Sequence, residues 1–551
     1  MQKITIYYIL LSVLLFSCNN EASHREATSE SGNTSNLTTE KKLKITKRDY
    51  SITKLTAYND IFLDSMKLEN FIADRKIPDT ISIRMRSFYN ARNYQFAWFS
   101  TSGLGEQALA FWNLHNYDSY EGDTSIKDKP LQKKMDEIMA DSNFVVNAAD
   151  RSVENTELAL TEHFIQFSLA NYDQSYLKRK EMERFIPLKK IDPMEFADSL
   201  INKKHKDNKY FEDLNQAYKL LKEQLINYLN IAKAGGWPQV TIPPKRVKKG
   251  YPSKEIALLK KRLKITADLA GTDSSQVFDD TLVMAIKHFQ TRFGYTPTGS
   301  ITASVLKDMN IDVSQRIEQI IINLNRMRWM PQEPVGKLIL VNIPEFVLHF
   351  VDGKTKVFDM NVVVGNEGHS TMMFTGKLST IVFSPYWNVP PSIVKNELLE
   401  KMNSNPDYLA TQEMEVTGTE GGLPVVRQKP GEKNSLGKVK FLFPNSFNIY
   451  FHDTPAKNLF SQDKRAFSHG CIRLSDPLKM AETLLHNDSK WTEDQIVSAM
   501  NSGNEQFVKI KEPVPVFITY YTAWVDETGL LNFRDDIYKR DATVAQKFFT
   551  K

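Results

Sequence analysis

A cysteine near the C-terminal end, Cys471, stands in the run Ser468-His469-Gly470-Cys471-Ile472-Arg473-Leu474. A thiol becomes a useful nucleophile when a nearby base or cation favours its thiolate, and a histidine suits that task near neutral pH. Two histidines qualify. His469 is two positions away, where a strand or tight turn aims its ring elsewhere. His452 lies nineteen positions upstream at the end of a strand-like run, and two adjacent strands joined by a loop of that length bring it beside Cys471. Gly470 permits a close backbone approach, so the amides of Gly470 and Cys471 can face a developing oxyanion. On these residues alone, a catalytic thiol and a buried inert one both remain open.

Such a pair needs strands to hold it. Strand patterns run over Leu338–Val341, Phe346–Val351 and Val357–Val364, with an Asp352-Gly353 hairpin turn, and recur at Leu378–Phe383, Val439–Phe443, Asn448–Phe451 and Val514–Tyr521. Between them, Ser392 to about Leu409 reads as helical and Thr411–Asn434 as Gly-rich and polar, an insertion over 392–435 placed to cap a cleft. Upstream, residues 50–234 are mainly helical, with apolar spacings of three and four in Leu158–Leu169 and Phe211–Ile231. The aromatics Phe88-Tyr89, Phe96 and Trp98-Phe99 read as core. Residues 235–250, rich in Gly, Pro and Lys, read as a linker, 251–310 as three short helices, and Gln315–Met330 as a further helix. The expected class is multidomain α+β: a helical N-terminal scaffold, a small three-helix module and a mainly β domain over 311–551 carrying a helical capping insertion.

Composition agrees with a chain of this organisation. At 551 residues, 41% hydrophobic and 25% charged, it is neither collagenous, mostly disordered nor a multi-span membrane protein. A net charge of +5 over that length makes no argument for nucleic acid. Two cysteines, Cys18 and Cys471, build neither a disulfide framework nor a four-cysteine zinc site. Lys3 followed by the apolar run Ile4–Phe16 reads as a signal peptide over 1–17, and Leu15-Phe16-Ser17-Cys18 resembles a bacterial lipobox, with Phe16 where a small residue is usual, which implies Cys18 as the lipidated residue; a plain signal peptide with an incidental cysteine is the alternative. Residues 18–49, polar and without periodicity, read as a tether from a bilayer, which gives an exported, periplasmic, membrane-anchored lipoprotein.

His452, fifteen intervening residues and then Ser468-His469-Gly470-Cys471-Ile472-Arg473 resemble the signature of the YkuD-type L,D-transpeptidases, cysteine enzymes that cross-link peptidoglycan. Val362-Val363-Val364-Gly365, Pro385–Pro391, Leu436–Lys440 and His452–Pro455 look like the large multidomain branch of that family. AIKHFQTRFGYTPTGSITASVLKDMN resembles its peptidoglycan-binding domain, with Thr298-Gly299 where Asp-Gly is more usual. The resemblance implies Cys471 as nucleophile, His452 as general base and later acid, and His469 and the Gly470 amide at the oxyanion pocket. It implies Arg473 at the loop or a substrate carboxylate, with a structural ion pair equally open for that residue. Tyr386 and Trp387 are candidates for lining the donor cleft, with a buried aromatic pair as the alternative. An orienting backbone carbonyl beside the base is implied, leaving the Asp453 carboxylate to solvent at a turn. The implied partners are peptidoglycan stem peptides as donor and acceptor, and the implied reaction is 3→3 cross-linking with release of D-alanine through a thioester. It also implies acylation by carbapenems, and no metal or organic cofactor. The rival readings are an L,D-carboxypeptidase and a non-catalytic wall-binding lipoprotein.

Overall fold

A computed structural model describes residues 44–550 apart from 121–127, 142–143, 147–149, 172–184, 202–214, 243–248, 251, 273 and 332–333. Cys18, the signal-peptide reading and most of the tether lie outside the described residues. From Ile45 onward the chain forms one compact unit.

Seven helices of the N-terminal part run from Ser65–Asp74 to Gln216–Lys233 among the described residues. The aromatic run before the third of them is core, as its density predicts: Trp98 stacks on Phe111 at 5.4 Å and meets Phe164 edge-on at 5.5 Å. A buried carboxylate pins this run, because Glu157 accepts the amides of Ala97 at 2.6 Å and Trp98 at 2.9 Å. Burial raises the Glu157 pKa to about 7, so those amide bonds work against a desolvation penalty.

The next helices, Lys254–Ile265, Asp280–Arg292 and Ala303–Met309, start where short polar side chains cap them: Ser253 on Glu255 N, Asp279 on Leu282 N and Thr302 on Val305 N. This module is not a free spacer. Arg292, paired with the buried Asp268, donates to Leu531 O at 2.9 Å, and Phe293 stacks on Phe533 at 5.4 Å. The preceding linker is packed as well: Val240 and Ile242 are buried, and the Trp237 indole donates to Ile311 O at 3.0 Å beneath the Arg262 guanidinium. The helix Val313–Met327 then carries Arg326 into a buried cluster with Glu106 at 2.6 Å and Asp541 at 2.5 Å, tying the N-terminal helices to the C-terminal segment.

The C-terminal part builds one nine-stranded sheet. Its spatial order is Ala466–Ser468, Thr355–Gly365, Ile472–Leu474, Phe451–His452, Val439–Leu442, Phe374–Phe383, Gln506–Thr519, Lys337–Asn342 and Val347–Asp352. The last strand also pairs with Thr355–Gly365, which closes the sheet into a barrel-like ring around an apolar core. Two details depart from the sequence reading. The strand expected at Asn448–Phe451 shrinks to Phe451–His452, where the Asn445 side chain takes both the N–H and the C=O of Ile449 that a partner strand would otherwise bond. The insertion, expected to be helical, is mixed: helices and a π turn over Pro391–Thr411 precede a hairpin of Met414–Glu420 and Leu423–Gln428. Gly421 and Gly422, at φ +57° and +79°, supply the two left-handed residues of that hairpin turn.

Candidate active site

Phe451 and Ile472 pair in parallel, as do His452 and Arg473, and Ile472 N–H donates to Tyr450 O at 3.2 Å. Phe451 and Ile472 are fully buried in the barrel core. Side chains alternate along a strand, so Tyr450 and His452 on one strand and Cys471 and Arg473 on the other face the opposite way, outward and together.

His452 is 4% exposed. Its Nδ1 donates to Asp453 O at 2.5 Å, which fixes the tautomer and leaves Nε2 as the acceptor. Burial, aided by the Arg473 and Lys440 cations, pushes its pKa down to about 3 against the pull of Asp453, so the resting imidazole is neutral. Burial also raises the Cys471 thiol above its usual value, although Tyr450, through both its amide and its phenol, and Arg473 favour the thiolate. The resting groups are thus a thiol and a neutral imidazole rather than an ion pair. The Sγ also lies 3.8 Å from Asn448 O.

Arg473 is half-buried, and its Nε has no hydrogen-bond partner among the described residues. Lys440 stands opposite His452 across the antiparallel pair, with Nζ 3.3 Å from Tyr386 O and 3.6 Å from Glu505 Oε1. Tyr386 is partly buried, its amide on Glu505 Oε1 at 2.9 Å and its ring 4.3 Å from the Arg427 guanidinium of the insertion. Trp387 packs against Val389, Ile393, Val394, Leu398 and Val426, the small core of the insertion. The Asp453 carboxylate is not solvated: it is buried, accepts Lys438 N–H at 2.9 Å and pairs with Lys457 at 2.6 Å. The left-handed turn at Gly437 folds the chain directly over it, where a Cβ would meet Asp453 Oδ2 at 2.3 Å.

The loop bearing the thiol is held from within and from behind. Ser468 Oγ donates to Cys471 O at 2.5 Å and accepts the Gly470 amide at 3.1 Å. Thr371, fully buried, donates to Gly470 O at 2.8 Å and accepts Gly365 N–H at 2.9 Å. Tyr538 donates to Gly365 O at 2.6 Å and accepts Thr371 N–H at 3.3 Å. His469 turns toward the insertion: its Nε2 lies 2.7 Å from Glu397 Oε1, and its ring leans on His369 at 4.7 Å.

Sequence reasoning missed Tyr450, Lys440, Thr371, Tyr538 and Glu397. Alternation from His452 was the available signal for Tyr450; nothing local marks Thr371 or Tyr538, which arrive from distant segments. Among the described residues no cluster of three His, Cys, Asp or Glu side chains is arranged to hold a metal ion.

Residues 336–513 match the family model of the L,D-transpeptidase catalytic domain, YkuD. Residues 84–225 match the scaffold domain, and 252–309 the "Putative peptidoglycan binding domain". A protein of Haemophilus influenzae named "Putative L,D-transpeptidase" is 31% identical over 243 residues, 41% of this chain and 49% of its own length. The chain thus spans about half the length of that curated relative. Among solved structures, an L,D-transpeptidase from Stackebrandtia nassauensis is 17% identical, covering 50% of this chain and 97% of its own at a TM-score of 0.21. An L,D-transpeptidase solved in complex with imipenem is 12% identical, covering 33% and 59% at a TM-score of 0.18. Scores this low leave the assignment to the family models. By those models the chain carries a YkuD-type L,D-transpeptidase catalytic domain behind scaffold and peptidoglycan-binding domains.

Proposed function

We propose that the protein is an exported L,D-transpeptidase that forms 3→3 peptidoglycan cross-links through a thioester on Cys471. Cys471 Sγ attacks the carbonyl of the third residue of a tetrapeptide stem, and its proton passes to His452 Nε2. The C–N bond to D-alanine breaks, and the same proton leaves with the departing amine. An amine on the third residue of a second stem then attacks the thioester. The C–N bond forms, the C–S bond breaks, and the amine's proton returns through His452 to the sulfur. No group is oxidised and no water is consumed.

The observation that carries this reading is the strand register: it turns the thiol, the phenol of Tyr450, the imidazole and the Arg473 cation to one face, with the imidazole already anchored to a backbone carbonyl. Arg473 supplies a half-buried cation for a stem carboxylate, and the Cys471 amide offers a donor to the developing oxyanion. The Gly470 amide joins it once it leaves Ser468. The insertion keeps water from the thioester, which separates transfer from hydrolysis. Cys18 as lipid anchor completes the reading with attachment to a membrane.

Product analysis tests it. Purified protein given defined disaccharide tetrapeptides yields a cross-linked dimer and free D-alanine; trimmed tripeptide with no dimer makes the protein a carboxypeptidase instead. If Cys471→Ala leaves both products unchanged, the thioester route is wrong. For the anchor, Cys18→Ser releases the protein from membranes and ends fatty-acid labelling; unchanged labelling contradicts it.

A further inference from the structure

In the resting site the thiol hydrogen faces an acceptor, since Cys471 Sγ lies 3.8 Å from Asn448 O. That carbonyl is no partner for the sulfur once charge gathers on it. By the proposed route the sulfur gains charge twice in a turnover, when it loses its proton to attack the donor and when the second amine expels it from the thioester. Cys471 is partly buried, so water solvates such an anion only in part, and hydrogen-bond donors already aimed at the sulfur take its place.

Two such donors come from one residue. The parallel pairing of Phe451 with Ile472 sets Tyr450 beside Cys471 across the two strands. Because Phe451 and Ile472 point into the core, both of these neighbours leave the wall on its outer face. The Tyr450 amide and the Tyr450 phenol each hydrogen-bond to the sulfur. Among the described residues the phenol has no other hydrogen-bond partner.

The surroundings fix that phenol in place. Ile472 N–H donates to Tyr450 O at 3.2 Å, and the Tyr450 ring leans on the His452 ring at 5.8 Å and 58°. Burial and the neighbouring sulfur push the phenol pKa up, so the O–H keeps its proton throughout the neutral range and gives a hydrogen bond rather than a proton. Arg473 adds positive charge from the next outward position of its strand. Its guanidinium is assigned above to a stem carboxylate, which leaves the directed bonds to the sulfur with Tyr450.

We propose that Tyr450 is a further catalytic residue, whose phenol donates a hydrogen bond to Cys471 Sγ whenever the sulfur bears negative charge. On attack the S–H bond breaks, the proton goes to His452 Nε2, and the sulfur's electron pair forms the bond to the donor carbonyl carbon. On expulsion the C–S bond breaks, its electron pair returns to the sulfur beside the phenol, and a proton comes back through His452. The phenol O–H bond stays intact in both steps. The inference rests on the transpeptidase reading and adds to it the group that carries the thiolate.

Tyr450→Phe removes the phenol oxygen alone and keeps the ring against His452, and circular dichroism checks that the variant folds. In the full chain, alkylation of Cys471 by iodoacetamide is followed across the neutral and alkaline range, with peptide mapping to separate it from Cys18. The pH of half-maximal rate rises by about one unit in Tyr450→Phe, since a hydrogen bond to a charged group is worth about tenfold or more. Acylation by imipenem and kcat for transfer fall about tenfold, with the donor KM nearly unchanged. The other charged and titratable groups around the sulfur, His452, Arg473, Lys440, His469 and Glu397, are common to both proteins, so a difference between the profiles belongs to the phenol. An unchanged profile overturns the proposal. So does slower acylation without a shift in the profile, which makes the ring a packing residue only, and so does a shifted profile with acylation and transfer at the wild-type rate. If neither imipenem nor donor reacts with the wild type, the transpeptidase reading fails on its own, and the alkylation profiles still decide whether the phenol carries the thiolate.

Discussion

The barrel wall and the capped loop each present one histidine of the same short signature, in opposite conditions. His452 in the wall is 4% exposed, bonded to a backbone carbonyl and neutral down to a pKa of about 3. His469 on the loop has a side chain 38% exposed and is held by Glu397, a carboxylate from the insertion that is itself 41% exposed. The wall fixes a base through covalent neighbours and burial, which solution conditions hardly alter. The loop instead makes contact with its cap through an exposed pair that salt can loosen. The proposed base therefore sits in the wall, while the loop that carries the thiol is the one that meets the cap.

The largest expected effect is at the nucleophile: Cys471→Ala brings both acylation and transfer below detection by mass spectrometry, with the circular dichroism spectrum unchanged. Next, His452→Gln lowers transfer by roughly 10²–10⁴-fold. Acylation by imipenem, followed as a mass shift, slows in parallel. Thr371→Val leaves Gly470 O and the Gly365 amide without their buried partner. It costs about 1–3 kcal/mol of stability in a denaturant melt and lowers kcat more than KM, because the thiol loop loses its backing. Glu397→Gln sits at the bottom of the scale. An exposed pair contributes about 0–1 kcal/mol, so transfer changes by no more than a few-fold, and high salt reproduces the change in the wild type. A Glu397→Gln effect as large as that of His452→Gln would erase the contrast between wall and loop.

Much of the wall was legible in the sequence because its signals are local. Residue type and spacing made Cys471 and His452 candidates and the family resemblance gave them their roles, and the alternation that buries Phe451 and Ile472 turns both to the opposite face. The cap was half-legible: its helical part carried a period, while the hairpin was hidden in a polar, Gly-rich stretch whose Gly421-Gly422 pair was the overlooked turn signal. The fate of Asp453 was misread, since burial beneath Gly437 depends on a loop fifteen residues upstream. Thr371 and Tyr538 were beyond reach, as only the closed barrel brings them behind the thiol loop.

The wall's neutral base also sets a pH dependence. Between an ordinary imidazole pKa near 6.5 and the folded value of about 3, the unfolded chain binds a proton at this position that the folded chain does not. Stability therefore falls as pH drops through that window, by up to about 1.4 kcal/mol per pH unit from this residue. Denaturant melts of His452→Gln against the wild type from pH 7 to pH 4 isolate that slope, and the variant loses less stability toward acid. For the same reason the acid limb of kcat/KM lies well below pH 6.5.

The central claim is a covalent bond between Cys471 and a stem peptide. Intact-mass analysis of the protein quenched during turnover of a tetrapeptide donor, followed by peptide mapping, tests it directly. The account predicts an adduct of the donor minus D-alanine on the peptide containing Cys471, labile to hydroxylamine and formed with one equivalent of free D-alanine. D-alanine released with no adduct at any time point, or an adduct carried by another residue, would contradict it.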